Sequence, residues 1–393
     1  MDFEFTEEQN ELRRQVREFV ESEVAAGTFE VTSKAIVAEV SKSFSRKMAQ
    51  RGWIGINWPK EYGGQGKGQV DKMIMLEEMY RYQAPTGYHF MAERQIGPAL
   101  MKFGTEEQKK EFLPRIVKAE DGAMFCLLFS EPDAGSDLAA VATTAGKEGD
   151  FYIVNGQKVW TSEGHLSDYG WLLAKTSFDE SIPKHQTCSE FIIDMKAPGV
   201  TIRPLINIAG EHSFNEVFFD NVKIPATSLV GKEGDGFKQI MAQVDYERSG
   251  IERLLQNYPV YTALRKYIAE MTPEDRHSDY YGWIKDVMAQ LEIEFNVGRL
   301  MCYNTAWIID QGKKPTSQAA ISKAFCTRYE QKLNDTAMKI MGPSSTIRKG
   351  SETLSPAIDV AACYLWGPSY TLQGGSMEVL KNIIAQRGLG LPR

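Results

Sequence analysis

The sequence predicts an α+β protein with three parts in chain order: an N-terminal α-helical domain at 1–122, a middle β-barrel or sandwich domain at 123–236, and a C-terminal α-helical bundle at 237–393. Three observations carry this expectation. Apolar residues recur with a helical period before about residue 120, change to short runs broken by Gly and Pro in the middle, and return to a helical period from Phe237. The 393 residues exceed what one ordinary core serves. Hydrophobic residues at 42% against 25% charged are the balance of a folded globular protein.

The elements follow in order. Thr6 and Gln9 fit a capping box, and Leu12, Val16, Phe19 and Val20 fall at i, i+4, i+7 and i+8 on one apolar stripe. The run Trp58-Pro59-Lys60-Glu61-Tyr62-Gly63-Gly64 interrupts the pattern. Helical spacing resumes over 70–82 and from Ile96 to Phe112, with Pro114 closing that last helix or standing just past it. In the middle part, Tyr152-Ile153-Val154 runs into Asn155-Gly156, a hairpin-turn dipeptide, and returns as Gln157 to Trp160. Phe191–Asp194, Val200–Arg203 and Val217–Phe219 read as further strands. Phe237, Ile240, Met241 and Val244 then open a helix expected to continue through Ile251 and Leu254. The charged stretch Thr272–Asp279 is a connection, and long helical patterns cover 283–310 and 318–341.

Composition excludes several functions. A net charge of −7 argues against nucleic acid as the main partner. Five scattered cysteines without a CxxC pair predict neither a disulfide framework nor a metal site. The acidic Met1-Asp2-Phe3-Glu4 start has no apolar signal region, and no run reaches the 18 apolar residues or so of a membrane span. A cytoplasmic enzyme is the expectation.

Chemistry concentrates in Ser130-Glu131-Pro132-Asp133-Ala134-Gly135-Ser136-Asp137, preceded by Phe129. Taken alone, these are ordinary turn residues. A second run, Asn155-Gly156-Gln157-Lys158-Val159-Trp160-Thr161-Ser162, follows after one intervening strand. Taken alone, its Trp160 is equally a core aromatic on a strand. Together with Phe5-Thr6-Glu7-Glu8-Gln9, Gly104 to Lys109, Phe219 to Pro225 and Asn382 to Arg387, the two runs resemble the acyl-CoA dehydrogenase family over nearly the whole chain.

The resemblance implies FAD as cofactor and an acyl-CoA thioester as substrate. It implies that Phe129 and Ser130 lie against the flavin ring, that Trp160 packs on it and that Ser162 bonds near its N5. Gly135 and Ser136 would line the channel shared with the CoA tail. Ser376 and Glu378, before and in the last helix, are implied cofactor contacts.

The family's reaction needs a carboxylate to remove the α-proton. Many members place it just before the last helix, where this chain reads Gln373-Gly374-Gly375-Ser376. Gly374 stands at that position, where it is expected to donate its N–H to the thioester oxygen and to free space for a bulky acyl group. Other members carry the base on the helix opening the third part, here Val244-Asp245-Tyr246-Glu247-Arg248. Glu247 lies three residues after Val244 and four before Ile251, on the apolar face. Periodicity leaves it either a base or a glutamate paired with Arg248 or Arg253, and the family position favours the base. Glu93 and Arg94, with Arg248, are expected near the substrate; a helix-surface ion pair is the other reading of Glu93 and Arg94.

The chain departs from the family in two places. The Arg-x-x-Phe-Gly motif is missing, and Lys339-Ile340-Met341-Gly342-Pro343-Ser344-Ser345 stands where a Gln-x-x-Gly-Gly-x-Gly run receives the flavin diphosphate. Pro343 removes an N–H donor. Trp58 to Gly64, Glu93 to Gly97 and Glu247-Arg248 look most like the branch that shortens sterol side chains, some of whose members use two unlike chains. The expected partners are therefore an electron-transfer flavoprotein and either a homotetramer or a heterotetramer with a related subunit. A flavin half-site subunit, an oxidase and a lyase on the same fold are the rivals.

Overall fold

The structure, a computed structural model, describes residues 4–33, 39–247, 250–351 and 358–392, and of 244–247 the backbone alone. The N-terminal helices are α1 (Glu7–Ala25), α2 (Lys42–Gln50), α3 (Gln69–Arg81), α4 (Gly87–Met91), α5 (Gly97–Phe103) and α6 (Glu106–Val117). The strands are β1 (Phe125–Leu128), β2 (Thr144–Glu148), β3 (Phe151–Ser162), β4 (Tyr169–Lys175), β5 (Cys188–Asp194), β6 (Val200–Ile206), β7 (His212–Pro225) and β8 (Leu229–Val230). The closing helices are α7 (Gly236–Glu247), α8 (Glu252–Leu255), α9 (Tyr258–Ala269), α10 (Asp279–Asp310), α11 (Thr316–Met341), α12 (Val360–Tyr370) and α13 (Met377–Ile383). This is the α+β architecture expected, with a sheet set between helical regions.

By compactness the backbone divides into two units. One takes Met1–Glu39, Lys67–Pro85 and Arg248–Arg393; the other takes Val40–Gly66 and Thr86–Glu247. Among the described residues the first has helices and no strand. Its α1 carries the capping box foreseen at Thr6 and Gln9, and Leu12, Val16, Phe19 and Val20 are all buried. Asp310, the last residue of α10, accepts the N–H groups of Gln69 at 2.6 Å and Val70 at 3.0 Å and so caps α3 from a distant helix.

The second unit is built on eight strands in the order β6-β7-β3-β2-β4-β5-β8, with β1 parallel to β4. One register pair, Thr144 with Lys175, joins β2 to β4. The strands on either side of this seam share one core, in which Tyr152, Val154, Val217 and Phe219 meet Leu172, Phe191 and Ile193. Tyr152 and Phe191 stack edge to face at 4.8 Å.

Three local expectations are corrected. Asn155-Gly156 is not a hairpin turn: β3 runs through it, with a register shift against β7 between Val154 and Gly156. A Cβ on Gly156 would stand 2.6 Å from Thr143 Oγ1, so the glycine serves close approach in a bulge. Pro114 lies inside α6, because the helix continues one turn to Val117. The carbonyl it leaves unbonded is that of exposed Lys110, which water can serve. The helix through Val244 stops at Glu247, and Gly250 is non-helical before α8 begins.

No helix among the described residues is long and apolar enough to cross a membrane. All five cysteines are buried free thiols.

Candidate active site

Within the sheet unit, the two motif runs are brought side by side by a buried ion pair. Lys158 Nζ donates to Glu131 Oε1 at 2.7 Å and to the Phe129 carbonyl at 3.0 Å. Glu131 also accepts the N–H groups of Ala142 at 2.6 Å and Thr143 at 2.9 Å. The Val159 N–H donates to the Ser130 carbonyl at 2.9 Å, and Glu131 and Ala134 close a tight turn on each other. Burial works to raise the Glu131 pKa, but the Lys158 ammonium and the donated hydrogen bonds overrule it and hold the carboxyl below its usual range. Burial pulls Lys158 down to about 8, against the opposing charge of Glu131. The pair is a clamp that fixes Phe129 and Ser130 beside the end of β3.

That end of β3 is strained. The register jumps between Lys158 and Thr161 opposite β7, and Trp160 takes a left-handed φ of 59° within the bulge. Trp160 is 61% exposed, and its indole meets the edge of the Phe214 ring at 5.9 Å. A core aromatic is therefore not what Trp160 is. Ser130, Ser136 and Ser162 hydroxyls make no hydrogen bond among the described residues, and Gly135 and Ser136 are exposed beyond the tight turn. An uncovered flat indole beside a half-buried Phe129, with free hydroxyls around it, fits a flat apolar ring with a polar edge, as an isoalloxazine has.

Glu93 and Arg94 are buried, so they are no surface pair. They lie in a π-helical turn, Ala92–Ile96, between α4 and α5, and the Arg94 guanidinium stands over the Phe90 ring at 5.1 Å. The neighbouring Gly97 receives the Trp58 indole: a Cβ there would fall 2.0 Å from Trp58 Cζ2. The structure thus joins two of the runs singled out in the sequence, Trp58 to Gly64 and Glu93 to Gly97.

The helix α7 ends at Glu247. The side chain of Glu247 and all of Arg248 lie outside the described residues. One turn earlier, Gln243 Nε2 donates to both oxygens of the buried Glu190 on β5, at 3.0 and 2.9 Å. Burial pushes the Glu190 pKa up to about 8, so at neutral pH it is a carboxylic acid. Gln243 Oε1 has no hydrogen-bond partner among the described residues.

Gly374, Ser376 and Glu378 belong to the helical unit. Gly374 and Gly375 have φ of 65° and 97°, a turn that glycine enters without strain. The buried Lys323 donates to the Gly375 carbonyl at 2.7 Å and holds that turn. Ser376 caps α13 by accepting the Val379 N–H, and the exposed Glu378 sits in its first turn, its carboxyl lowered by backbone N–H and the Ser376 hydroxyl. In the stretch that departs from the diphosphate motif, Gly342–Thr346 form a short 3-10 helix, and Tyr280 O–H donates to the Lys339 carbonyl at 2.9 Å.

The sequence reasoning did not single out Glu131, Lys158 or Lys323. A signal existed for Lys158, since it sits at an inward-facing position of β3, two residues after Gly156. Among the described residues no group of three or more His, Cys, Asp or Glu gathers as metal ligands.

Comparison with known proteins agrees along the whole chain. The profiles of the acyl-CoA dehydrogenase N-terminal, middle and C-terminal domains match residues 6–120, 126–222 and 234–389. The chain is 35% identical over 356 residues to the acyl-CoA dehydrogenase IpdE1 of Mycobacterium tuberculosis, covering 90% of this chain and 89% of that protein. It is similar to the Tcur3481-Tcur3483 steroid ACAD structure, with a TM-score of 0.89 at 28% identity, covering 100% of both chains. The ChsE4-ChsE5 complex from Mycobacterium tuberculosis superposes with a TM-score of 0.84 at 30% identity, again covering 100% of both. The chain therefore belongs to the acyl-CoA dehydrogenase family of FAD-dependent flavoprotein oxidoreductases.

Proposed function

We propose that the chain dehydrogenates the Cα–Cβ bond of a bulky, cyclic or steroid-derived acyl-CoA, with Glu247 as the base. The single observation that carries the reading is the clamp of Glu131 and Lys158, which sets Phe129 and Ser130 beside the uncovered Trp160. The resemblance to steroid-type relatives supports the substrate class.

In this reading Phe129, Ser130, Trp160 and Ser162 hold the flavin ring, Gly135 and Ser136 line the channel to the CoA tail, and Ser376 and Glu378 contact the cofactor from the last helix. Bound FAD supplies acceptance of a hydride from Cβ. Glu247 takes the proton from Cα. The Gly374 N–H donates to the thioester oxygen and stabilises the charge that grows there as the proton leaves. Because Gly374 has no side chain, a wide acyl group meets no carboxylate at that position. Glu93, Arg94 and Arg248 read polar groups of the substrate. An electron-transfer flavoprotein takes the electrons onward.

The test is turnover with a panel of acyl-CoA thioesters and an artificial electron acceptor. Glu247→Gln is expected to lower kcat by roughly 10²–10⁴-fold while the protein stays yellow. Normal turnover in a flavin-loaded variant overturns the assignment of the base.

A second reading, a half-site subunit paired with an unlike chain, is favoured by Pro343 and the 3-10 turn at Gly342–Thr346, and by the two-chain complexes among the similar structures. The flavin content of the chain purified alone separates the two. One FAD per chain supports the self-sufficient enzyme, and a colourless chain that turns yellow with a related subunit supports the half-site.

A further inference from the structure

Beyond Trp160, the chain turns back through Glu163 to Ser167, where two exposed imidazoles lie face to face. His165 and His212 stack with ring centroids 4.0 Å apart and planes 19° from parallel. Between them and the bulge sits Asn215, fully buried on β7 and paired in register with Thr161. Its Nδ2 donates to the Thr161 carbonyl at 3.0 Å and faces His165 Nδ1 at 3.2 Å. Its Oδ1 faces His212 Nε2 at 2.8 Å.

These contacts fix the protons. A carbonyl only accepts, so the amide nitrogen must be the atom facing Thr161. That nitrogen therefore donates to His165 Nδ1, which must be bare, and His165 carries its proton on Nε2. The amide oxygen can only accept, so His212 Nε2 carries a proton. Every atom of the Asn215 amide is committed, and in one orientation only. A proton added at His165 Nδ1 would set two donors against each other. Rotating the amide would then set two acceptors against each other at Thr161.

We propose that Asn215 is the positioning residue of the Trp160–Ser162 wall, and that the stacked His165 and His212 lock its amide in the orientation that anchors Thr161. The inference rests on the reading of that wall as the flavin's support. Gly164 completes the lock, because a Cβ there would fall 2.8 Å from Thr161 Cγ2. The lock requires a neutral His165. Burial first, and then the neighbouring His212, lower its pKa below the usual range. Other charged groups near these rings in the chain are Glu163 on the same turn, Glu211 just before β7, Glu216 on β7, and Arg203 on β6, which pairs in register with Glu216. Glu216 also accepts from Gln157 at 3.1 Å. The stacked His212 ring is the neighbour that works against a proton on His165.

The test follows FAD affinity and Trp160 emission, the latter as the difference between wild type and Trp160→Phe, from pH 8 to pH 5. Wild type is expected to lose about tenfold in FAD affinity as His165 protonates, the worth of one buried hydrogen bond. His165→Asn, whose own amide oxygen can accept from Asn215 and does not titrate, is expected to keep the affinity of wild type at pH 8 and to flatten the profile. Asn215→Ala removes the anchor at every pH, and if it fails to fold, His165→Asn still decides. A Trp160 emission that is flat with pH in wild type, or an identical slope in His165→Asn, overturns the lock. Emission that shifts with pH while FAD affinity stays constant supports the lock and overturns the flavin-wall reading.

Discussion

Glu77 in the helical unit and Glu190 in the sheet unit are both sealed from solvent, yet they hold opposite charge states. Glu77 on α3 receives Arg299 at 2.7 Å, Arg81 at 2.8 Å, Arg13 at 3.0 Å and the Tyr303 hydroxyl at 2.6 Å. Burial works to raise its pKa, but these partners, Arg299 foremost, hold it well below the carboxylate range. Glu190 has only neutral groups acting on it, the Trp171 indole and the Gln243 amide, and burial keeps it protonated to about pH 8. Depth is equal in the two cases, so the number of cations within reach decides the charge. Packed helices send long arginines from α1, α3 and α10 to one point. Around Glu190 no cation acts among the described residues, whereas Lys158 of the same unit reaches Glu131 and keeps that carboxyl ionised.

The sharpest way to break this comparison is to remove each acid. Glu77→Ala leaves three half-buried guanidinium groups facing one another, and a loss of about 3 kcal/mol in denaturant unfolding is expected. Glu190→Gln should go the other way. It keeps an amide–amide pair with Gln243, removes the cost of an ionisable group, and is expected to stabilise by on the order of 2 kcal/mol at pH 8, with no gain near pH 4. A destabilised Glu190→Gln at pH 8 would contradict the protonated state.

Solution pH separates the two units further. Glu190 has a folded pKa raised from 4.5 to about 8, so its contribution is whole below pH 4.5 and disappears as pH rises to about 8. Glu77 is depressed, so its contribution is present above 4.5 and disappears as pH falls through its folded value. Calorimetry across pH 3–9 should therefore show acid weakening the helical unit and alkali weakening the sheet unit. The smallest contrast concerns two similar caps. Thr6 with Gln9 and Thr105 with Gln108 are both capping boxes, but Gln108 Nε2 also donates to the carbonyls of Thr227 at 2.9 Å and Leu229 at 3.0 Å. Gln9→Ala should cost about 0.5–1 kcal/mol, and Gln108→Ala about 1 kcal/mol more.

Local patterns were readable where the residues that decide a structure are neighbours in sequence. Thr6 and Gln9 form the cap their spacing predicts, and the stripe from Leu12 to Val20 is buried. The family was readable because its motifs are contiguous runs. Asn155-Gly156 misled because a hairpin turn and a strand bulge ask for the same residues, and only the Thr143 backbone alongside tells them apart. Pairs joined across distance stayed hidden: Lys158 reaches Glu131 over 27 positions, and Arg299 reaches Glu77 over 222. Asn215 reads as an ordinary polar residue of a strand until Thr161, His165 and His212 arrive around it.

The π-helical turn at Ala92–Ile96 bears on descent as well as on shape. Such a turn holds one residue more than the α-helix around it. Deleting a single codon there would rewind the segment into α-helix and leave both flanking helices intact. Because the extra residue is taken up within one wider turn, both flanks would keep their facing while the side chains inside the turn change theirs. Ancestry could thus redirect Glu93 and Arg94, or take them out of reach, by a length change of one residue without rebuilding the helix that carries them.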